Sequence, residues 1–284
     1  MPGTLFVVAT PIGNLEDITL RAIRVLGEVD LIAAEDTRHT AKLLNHLRIA
    51  TTTTSLHAHN ETRRLPALVR RLVAGQSVAL VTDAGTPTVS DPGTRLVSAA
   101  RDAGVAVVPV PGPSAVLAAL SISGFPSDTF RFEGFAPRKP GARRAWLARL
   151  AVTDDVVVFL EAPHRVRRTL EDAAAILGDR LILICRELTK KFEESVKSQI
   201  SSAMSAMSDW RGEFTIVVGP REDTPETALN TELSLDDLAF GQITTTTLGS
   251  RRELVRKVAA ERGISSKEAY RLIENTKNSG KRQR

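Results

Sequence analysis

Residues 78–93 constrain the fold more than any other stretch of the chain. They begin with the apolar run Val-Ala-Leu-Val, which is typical of a buried parallel strand. A loop with two aspartates, two prolines and two glycines follows, and its Asp91-Pro92 pair is a favourable start for a helix. In an open α/β sheet, ligands bind at the edge where strands end and helices begin. The stretch therefore predicts either a ligand loop or only a tight turn from strand to helix.

Strand-like and helix-like segments alternate on both sides of this stretch. Short apolar runs at 5–9, 30–34 and 105–108 indicate three more strands. We expect Leu20, Ile23 and Leu26 to share the buried face of the first helix, and Thr37 to cap the second. Such alternation predicts a parallel, right-handed doubly wound sheet.

The pattern breaks at 124–128 (Gly-Phe-Pro-Ser-Asp), which indicates a domain boundary. A second α/β unit follows, with predicted strands at 130–135, 156–160, 181–185 and 212–218. A polar, acidic linker begins at Pro220, and Ser265 and Glu268 have the spacing of a capping box for a last helix. The predicted fold class is α/β, with a parallel-sheet N-terminal domain, a second α/β domain and a small C-terminal helical tail. The predicted domains are 1–124, 125–220 and 233–284.

The composition indicates the cellular compartment of the protein. The chain has 284 residues and one cysteine, Cys185, which excludes an internal disulfide and fits a reducing compartment. We expect this cysteine to be buried and inert, and Trp146 and Trp210 to anchor the core or an interface. The sequence has no apolar run of the ~20 residues that a membrane span needs. We expect a cytoplasmic protein with no membrane partner.

Charge is concentrated at the C-terminal end. Residues 249–284 hold eleven Lys/Arg against four Asp/Glu, whereas residues 220–248 hold one Arg against six acids. A basic segment after an acidic one favours an anionic partner, nucleic acid first among them. A merely solvated tail is the competing interpretation.

The common nucleotide-binding fingerprints are missing. The sequence has no Gly-x-Gly-x-x-Gly after its first strand and no Gly-x4-Gly-Lys-Ser/Thr. The loops that follow the predicted strands combine proline, glycine and small residues, without a lysine for phosphates. Such loops suit an uncharged or cationic ligand approached by backbone, with Asp83 and Asp91 as nearby anions.

Several motifs, taken together, resemble the tetrapyrrole methylase superfamily. They are Thr-Pro-Ile-Gly-Asn-Leu at 10–15, Ala-Glu-Asp-Thr-Arg at 34–38, Asp-Ala-Gly-Thr-Pro at 83–87 with Ser-Asp-Pro-Gly at 90–93, and Pro-Gly-Pro-Ser-Ala at 111–115. Weaker matches lie at 56–61, 133–135 and 187–190. Within the superfamily they resemble the branch that methylates a cytidine 2′-hydroxyl of small-subunit ribosomal RNA. The resemblance spans residues 4–219.

The resemblance implies a tetrapyrrole-methylase-like fold and S-adenosylmethionine bound between two α/β domains, usually in a homodimer. It assigns cofactor contacts to the loops of both domains: Pro11, Gly13, Gly85, Thr86, Pro87, Val89, Gly112, Pro113, Ser114, Ala115 and Glu161. Ribosomal RNA of the small subunit is the implied partner. No metal is implied, and His57 and His59 alternate along an extended segment, which makes a poor metal pair.

Methyl transfer to a ribose hydroxyl needs alignment and an acceptor for the proton. The candidates are Glu35, Asp36, His57, Glu161 and Lys190, of which Glu35 and Lys190 are taken as the catalytic pair. Lys190 would serve as a base if burial and the cofactor's charge lowered its pKa. The residues assigned to substrate RNA are Asp36, Arg38, His57, Asn60, Arg138, Lys139, His164 and Arg165.

Simpler roles compete with several of these assignments. Glu35 and Asp36 could form an ion pair with Arg38 and cap the next helix, and residues 138–144 could be a solvated basic face. Two other functions also stay open: methylation of a tetrapyrrole ring, and a non-catalytic role in RNA binding or ribosome assembly. The basic tail and the loop at 35–38 count against a tetrapyrrole substrate.

Overall fold

The computed structural model describes residues 1–221, 255, 259 and 265–270. Its first sheet is wholly parallel, with the strand order β3-β2-β4-β1-β5. This confirms the doubly wound arrangement that the alternating pattern predicts. The strands are β1 (Thr4–Val8), β2 (Leu31–Ala34), β3 (Thr53–Ser55), β4 (Val78–Val81) and β5 (Ala106–Val110).

Helices cover both faces of this sheet. One face packs the apolar sides of α3 and α4 around Leu68, Leu72 and Leu96, and the other packs α1 and α2 around Leu26 and Leu44. A short 3₁₀ helix, Leu15–Asp17, precedes α1. The helices are α1 (Leu20–Glu28), α2 (Thr37–Leu47), α3 (Glu61–Val73) and α4 (Thr94–Asp102).

The second sheet is mixed, with the strand order β6-β7-β10-β8-β9. Only β6 and β7 run parallel, because the other neighbours pair antiparallel. Strand β9, an edge strand whose residues alternate between half-buried and exposed, was not predicted from the sequence. The strands are β6 (Phe130–Phe135), β7 (Val156–Glu161), β8 (Leu181–Arg186), β9 (Glu194–Gln199) and β10 (Phe214–Val218).

Four helices complete this part of the chain: α5 (Ala115–Ser123), α6 (Pro140–Ala151), α7 (Pro163–Leu177) and α8 (Ile200–Ala206). Helices α6 to α8 pack on one face of the second sheet around Phe159 and Leu170. Helix α5 packs on the other face, where its Val116 and Leu120 share a core with Ile12 from the first half. This core brings the loop after β1 against the second sheet.

Three local expectations were wrong. Leu20 is 86% exposed, and Ala22, Val25 and Leu26 form the buried face of α1. Asp36, rather than Thr37, caps α2, because its carboxylate accepts from the backbone N–H of Arg38 at 2.8 Å. The helix after β4 begins at Thr94 instead of Asp91-Pro92.

Other expectations were confirmed. Cys185 is fully buried, and burial together with the charge of Glu193 raises the pKa of its thiol to about 12. Trp146 is buried edge-on against Phe159, and its Nε1 donates to Glu133 at 3.0 Å. Trp210 stacks on Phe214.

Met1–Arg221 forms one compact unit and Glu222–Arg284 forms another. In the second unit, Ser265 and Glu268 form the predicted capping box, since each accepts from the other's backbone N–H, at 3.3 and 3.0 Å. The acidic linker and most of the predicted tail, residues 233–284, lie outside the described residues, and the three domain boundaries stay predictions. Among the helices described, none has the length and apolarity to cross a membrane.

Candidate active site

Three loops meet at the carboxyl edge of the first sheet. The loop after β1 and the loop after β4 are joined by a reciprocal backbone pair: Thr10 N–H donates to Gly85 at 2.9 Å, and Gly85 N–H donates to Thr10 at 3.0 Å. The hydroxyl of Thr10 also donates to the Thr82 carbonyl at 3.1 Å. The third loop, after β5, joins them through Thr86, whose hydroxyl donates to the Pro113 carbonyl at 3.4 Å. The sequence-predicted cofactor residues of the first half are therefore neighbours.

Small residues at this meeting point keep the backbones close together. A Cβ on Gly85 would lie 3.5 Å from Ile12 and 3.9 Å from the Pro113 carbonyl, and Gly85 has a positive φ of 81°. A Cβ on Gly112 would lie 3.1 Å from the Cβ of Ala9. Ser114 caps α5. Side chains larger than these would fill the space between the loops.

The loop after β4 holds unusual backbone conformations. Besides Gly85 and Gly93, the non-glycine residues Thr88 and Ser90 have positive φ, at 73° and 66°. A Cβ on Gly93 would lie 2.6 Å from Leu80, so glycine is required there. Val89, between the two strained residues, is 45% exposed. Strain of this kind persists where the surrounding structure holds it, and it concentrates at binding sites.

Three carboxylates, Glu35, Asp83 and Asp91, lie at this edge. Glu35 accepts from the Thr82 hydroxyl at 2.6 Å, and Asp83 accepts from the backbone N–H of Asp36 at 3.0 Å. Burial, followed by the charge of Glu35, raises the pKa of Asp91 to about 6. Burial also raises the pKa of Asp83, with Glu35 adding to the effect. None of the three forms an ion pair within residues 1–221, so the edge carries uncompensated negative charge.

A small cavity opens beside these carboxylates. Its lining comes from the loop after β1, from helix α2 and from the end of β4: Thr10, Pro11, Leu15, His39, Thr40, Leu43, Thr82 and Asp83. No group of three or more His, Cys, Asp or Glu in the described part of the chain is placed to hold a metal ion.

The second half reaches this edge through the turn after β8. Thr189 accepts from the backbone N–H of Asn14 at 3.1 Å, and a Cβ on Gly13 would lie 2.4 Å from the side chain of Lys190. Lys190 pairs with Glu187 at 2.9 Å and with Glu213 at 3.1 Å. Burial lowers the pKa of Lys190, but these two carboxylates outweigh it and raise the pKa. Burial alone therefore does not supply the lowered pKa that a base role for Lys190 would need, and Lys190 is an ammonium held beside Gly13.

Glu161 and Arg165 are engaged inside the second half. The Glu161 carboxylate is fully buried, pairs with the Arg165 guanidinium, and accepts from Thr169 Oγ1 at 2.7 Å and from the Ala162 N–H at 2.8 Å. Arg165 also donates to the Ala136 carbonyl at 3.3 Å. These side chains fix the start of α7, so a cofactor contact at Glu161 would have to come from its backbone, and Arg165 is largely enclosed.

Asp36 and Arg38 form a local pair at the start of α2, at 2.8 Å. The hydrogen bonds from the Arg38 side chain and backbone hold the pKa of Asp36 well below its usual range. The simpler role considered for Asp36, pairing with Arg38 and capping the helix, is thus present. The Arg38 side chain is 89% exposed, so it remains accessible to a ligand.

Asn60 is buried and braces its own loop. Its side chain accepts from the His57 N–H at 2.9 Å and donates to the Ser55 hydroxyl at 3.0 Å. This bracing leaves Asn60 little surface for substrate. His57 is half-buried, and its Nδ1 has no hydrogen-bond partner within residues 1–221. The rings of His57 and His59 meet edge to face, 6.1 Å apart.

The basic segment at 138–144 divides into two parts. Arg138 and Lys139 are exposed, as is His164 in the first turn of α7. Arg143 is buried and pairs with Asp172 at 2.5 Å, and Arg144 pairs with the same carboxylate at 3.0 Å. The alternative of a solvated basic face at 138–144 was wrong for Arg143, because its guanidinium is 3% exposed.

Three residues at the site carried no assignment of their own in the sequence analysis: Thr82, Glu187 and Glu213. Glu187 has a positive φ of 52° and packs on Gly212, where a Cβ would lie 2.5 Å from the glutamate side chain. A glycine facing a strained glutamate can be recognised only in three dimensions. Thr82, directly after a buried strand, is the one that position alone could have indicated.

Known proteins resemble this chain over most of its length. Residues 4–203, more than half of the chain, match the family model for tetrapyrrole (corrin/porphyrin) methylases. A protein of Halalkalibacterium halodurans named ribosomal RNA small subunit methyltransferase I is 44% identical over 95% of this chain and 94% of its own length. A Xylella fastidiosa protein of the same name is 50% identical over 76% of this chain and 81% of its own length.

Two solved structures share the fold. The methyltransferase CobJ superposes with a TM-score of 0.58 at 24% identity, over 78% of this chain and 98% of its own. The uroporphyrin-III-C-methyltransferase of Thermus thermophilus gives 0.56 at 20% identity, over 81% and 98%. The chain therefore belongs to the tetrapyrrole methylase family, in the group whose members are named ribosomal RNA small subunit methyltransferase I.

Proposed function

We propose that this protein transfers a methyl group from S-adenosylmethionine to the 2′-hydroxyl of a cytidine ribose in small-subunit ribosomal RNA. One observation carries the proposal: three loops rich in glycine and proline meet at the carboxyl edge of a parallel sheet, through the Thr10–Gly85 and Thr86–Pro113 hydrogen bonds. The names of relatives at 44% and 50% identity support ribosomal RNA as the substrate class.

The three loops would hold the cofactor. When bound, S-adenosylmethionine supplies a methyl group on a sulfonium, so that the new carbon–oxygen bond forms as the carbon–sulfur bond breaks and a neutral thioether leaves. The fit rests on the donors, the space and the charge at this edge: small side chains line it, and its carboxylates carry no ion pair within residues 1–221. The proposed contacts are Pro11, Gly13, Gly85, Thr86, Pro87, Val89, Gly112, Pro113, Ser114, Ala115 and the backbone of Glu161.

Glu35 would accept the proton that the hydroxyl loses. Its carboxylate follows β2 directly and is oriented by the Thr82 hydroxyl at 2.6 Å and the Asp83 N–H at 3.4 Å. A fixed carboxylate next to the hydroxyl favours loss of the proton as the new bond forms. The ordered hydrogen bonds favour a proton-accepting role for Glu35 over an ion pair with Arg38, since Arg38 pairs with Asp36 instead.

Lys190 would contribute as a cation. Because Glu187 and Glu213 raise its pKa, it keeps its proton near neutral pH and cannot act as the base. Its side chain lies against Gly13, in the loop after β1. From there an ammonium can stabilise negative charge that develops on the ribose oxygen.

Exposed basic side chains would bind the RNA backbone: Arg38, Arg138, Lys139 and His164. Among the other residues assigned to the substrate, His57 would face the RNA at the end of β3. Asp36, Asn60 and Arg165 would act indirectly, by holding α2, the loop before α3 and the start of α7. The basic segment 249–284 would add charge of the same sign.

We also propose a homodimer in the cytoplasm, where its ribosomal substrate is made. Two exposed apolar side chains support the dimer: Leu117, in the first turn of α5, is 58% exposed, and Leu20 is 86% exposed and follows Thr19, which lies 3.8 Å from the position of a Cβ on Gly112. Light scattering on the purified protein should give twice the chain mass, and the variant L20D/L117D should give the chain mass. A wild-type protein of single-chain mass would refute the dimer.

Labelled methyl transfer tests the function directly. The protein is incubated with S-adenosylmethionine carrying a labelled methyl group and with either unmethylated small ribosomal subunits or a precorrin-type tetrapyrrole. We expect label in the RNA, on a 2′-O-methylcytidine after digestion to nucleosides. Label only in the tetrapyrrole would establish the alternative enzyme. Calorimetry that detects no binding of S-adenosylmethionine would favour the non-catalytic RNA-binding factor.

A further inference from the structure

Helix α3 presents a row of arginines that the proposed function leaves without a role. Arg63, Arg64, Arg70 and Arg71 are all exposed, and the acid of this helix, Glu61, is 8% exposed. Arg95, at the start of the neighbouring helix α4, is exposed beside them. Residues 62–76 contain no acid at all, so the surface of α3 has one sign of charge.

Among residues 1–221, no acid pairs with these arginines. Several exposed arginines elsewhere on the protein pair with acids, such as Arg24 with Glu28 and Arg131 with Asp155, whereas others, such as Arg48, stand singly without a pair within residues 1–221. Helix α3 differs because four such arginines share one helix. Within residues 1–221, no carboxylate forms an ion pair with any of the five arginines on α3 and α4. Asp30 feels the charge of Arg71 without pairing with it. The Asp30 carboxylate instead accepts hydrogen bonds from the backbone N–H and the hydroxyl of Ser77, at 2.7 and 2.9 Å.

The spacing of the arginines forms two lines along the helix. Arg63 and Arg70 are seven residues apart, as are Arg64 and Arg71, so the members of each pair lie on one side of α3, about 10 Å apart. Neighbouring like charges on a helix are unfavourable without a counter-charge. An ordinary solvated surface mixes both signs of charge, whereas this one is complementary to a polyanion.

Hydrogen bonds join the starts of α3 and α4, and both helices begin near the candidate site. Glu61 accepts from the backbone N–H of Arg95 at 3.2 Å, and the Arg95 guanidinium donates to Thr62 at 2.7 Å. Helix α4 follows the loop that contains Gly85, and α3 begins at the same carboxyl edge of the parallel sheet. The arginines therefore start beside the site and continue along α3, away from it.

We propose that the exposed arginines of α3, with Arg95, form a docking surface for the phosphate backbone of the substrate RNA. The proposal rests on the proposed function and adds a surface that no motif in the sequence indicated. Arg63, Arg64 and Arg95 bind phosphates next to the site, and Arg70 and Arg71 bind phosphates farther along the same RNA. Contacts of this kind position the RNA and do not read its sequence.

The test compares the full-length protein with two double variants, R63A/R64A and R70A/R71A. The matched control is R21A/R24A, which removes two exposed arginines from α1, on the opposite face of the first sheet. Binding to in vitro transcribed small-subunit ribosomal RNA is measured at several salt concentrations. The association constant K falls as salt rises, and each lost phosphate contact makes the slope of log K against log salt shallower by about one.

We expect each α3 variant to raise the Kd for RNA about tenfold or more. The slope of log K against log salt should become shallower by about two. The control should change the Kd less than threefold, and all variants should bind S-adenosylmethionine as the wild type does. In the methyl-transfer assay, the KM for RNA should rise while kcat stays unchanged. Equal behaviour of the α3 variants and the control would overturn the docking surface.

Two further results separate this proposal from others. If the wild type transfers no methyl group but binds RNA through α3, the proposed function fails and the docking surface stands. If the α3 variants bind the free RNA normally and lose binding only to whole subunits, the surface contacts a ribosomal protein and the RNA assignment is overturned.

Discussion

Three carboxylates of the first half and two of the second half differ in whether they pair with arginine. In the first half, Glu35, Asp83 and Asp91 are held by hydroxyl and backbone groups, and burial raises the pKa of both aspartates. In the second half, Asp172 and Glu194 each pair with arginine. Against the opposing effect of burial, hydrogen bonds from Arg144 and Arg143 lower the pKa of Asp172. Against the same effect of burial, hydrogen bonds from Ser208, followed by Arg186, lower the pKa of Glu194.

The difference separates binding chemistry from structural support. A carboxylate already neutralised by a buried arginine has little to offer a ligand, but it fixes the elements that it joins. A carboxylate held only by neutral donors keeps its charge for a partner that arrives later. Under the proposed function, the carboxylates of the first half would offer negative charge to a cationic cofactor, and the ion pairs of the second half hold its helices and strands together.

Replacing Glu35 by Gln should have the largest effect. The variant keeps the shape and loses the proton acceptor, so we expect kcat to fall by about 10²–10⁴ with S-adenosylmethionine affinity nearly unchanged. Single-turnover methyl transfer measures this. The control is D36N, next to it and already paired with Arg38, which should lose less than about threefold. Equal losses in the two variants would place the proton acceptor elsewhere.

Gly85→Arg should abolish cofactor binding, with a loss of affinity of about 100-fold or more in calorimetry. The new side chain would fill the gap to Ile12 and Pro113. Gly104→Arg is the control: Gly104 also has a positive φ, 71°, but a Cβ there meets nothing within 4 Å. It shares the backbone strain and should bind the cofactor normally. Unchanged affinity in Gly85→Arg would put the cofactor at another site.

Asp172→Ala should test the structural half. It leaves the Arg143 guanidinium buried without its partner, which costs about 3 kcal/mol of unfolding free energy. The melting temperature should fall by about 6–12 °C in a domain of this size. Removing Glu28 from its exposed pair with Arg24 should cost less than about 0.5 kcal/mol. Comparable losses would mean that burial of the pair does not matter.

The smallest effect expected concerns Asp91 and pH. Because the folded protein raises the pKa of Asp91 from 3.8 to about 6, it holds a proton there that the unfolded chain has lost, and stability falls as the pH rises between these values. Asp91→Asn should therefore stabilise the protein at pH 7 and make no difference near pH 3.5, in urea unfolding.

The effect on stability should have the opposite sign at Asp155. Its hydrogen bond from Arg131 lowers its pKa, so Asp155→Asn should destabilise the protein at pH 7 and lose its effect at acid pH. If both variants shifted stability in the same direction at pH 7, the contrast between the halves would not hold.

Much of the fold was predictable because its signals are local. In the first half, apolar runs separated by helical segments indicate the parallel sheet, and the glycines and prolines at 10–15, 83–93 and 111–115 indicate its loops. Strand β9 was not predicted because its sequence is mostly polar and contains no apolar run. Leu20 was assigned to the core because periodicity does not distinguish the two edges of an apolar stripe.

The charged residues of the site were less predictable, because their roles depend on partners far along the chain. Arg143 looks like its exposed neighbours until Asp172, 29 residues away, encloses it. A base role for Lys190 depended on a lowered pKa, and the carboxylates of Glu187 and Glu213 raise that pKa instead. Glu35 meets Thr82 across 47 residues. Except for Glu187, three residues before Lys190, these partners lie far apart in the chain and meet only when its helices and strands pack together.

The sole thiol of the protein offers a built-in reporter. Cys185 lies in the central part of the second sheet, fully enclosed, and its high pKa keeps it from forming a thiolate near neutral pH. An alkylating reagent would thus mark only molecules in which this sheet has come apart. The rate of labelling would follow the opening of the structural half in the unaltered protein, with no introduced probe.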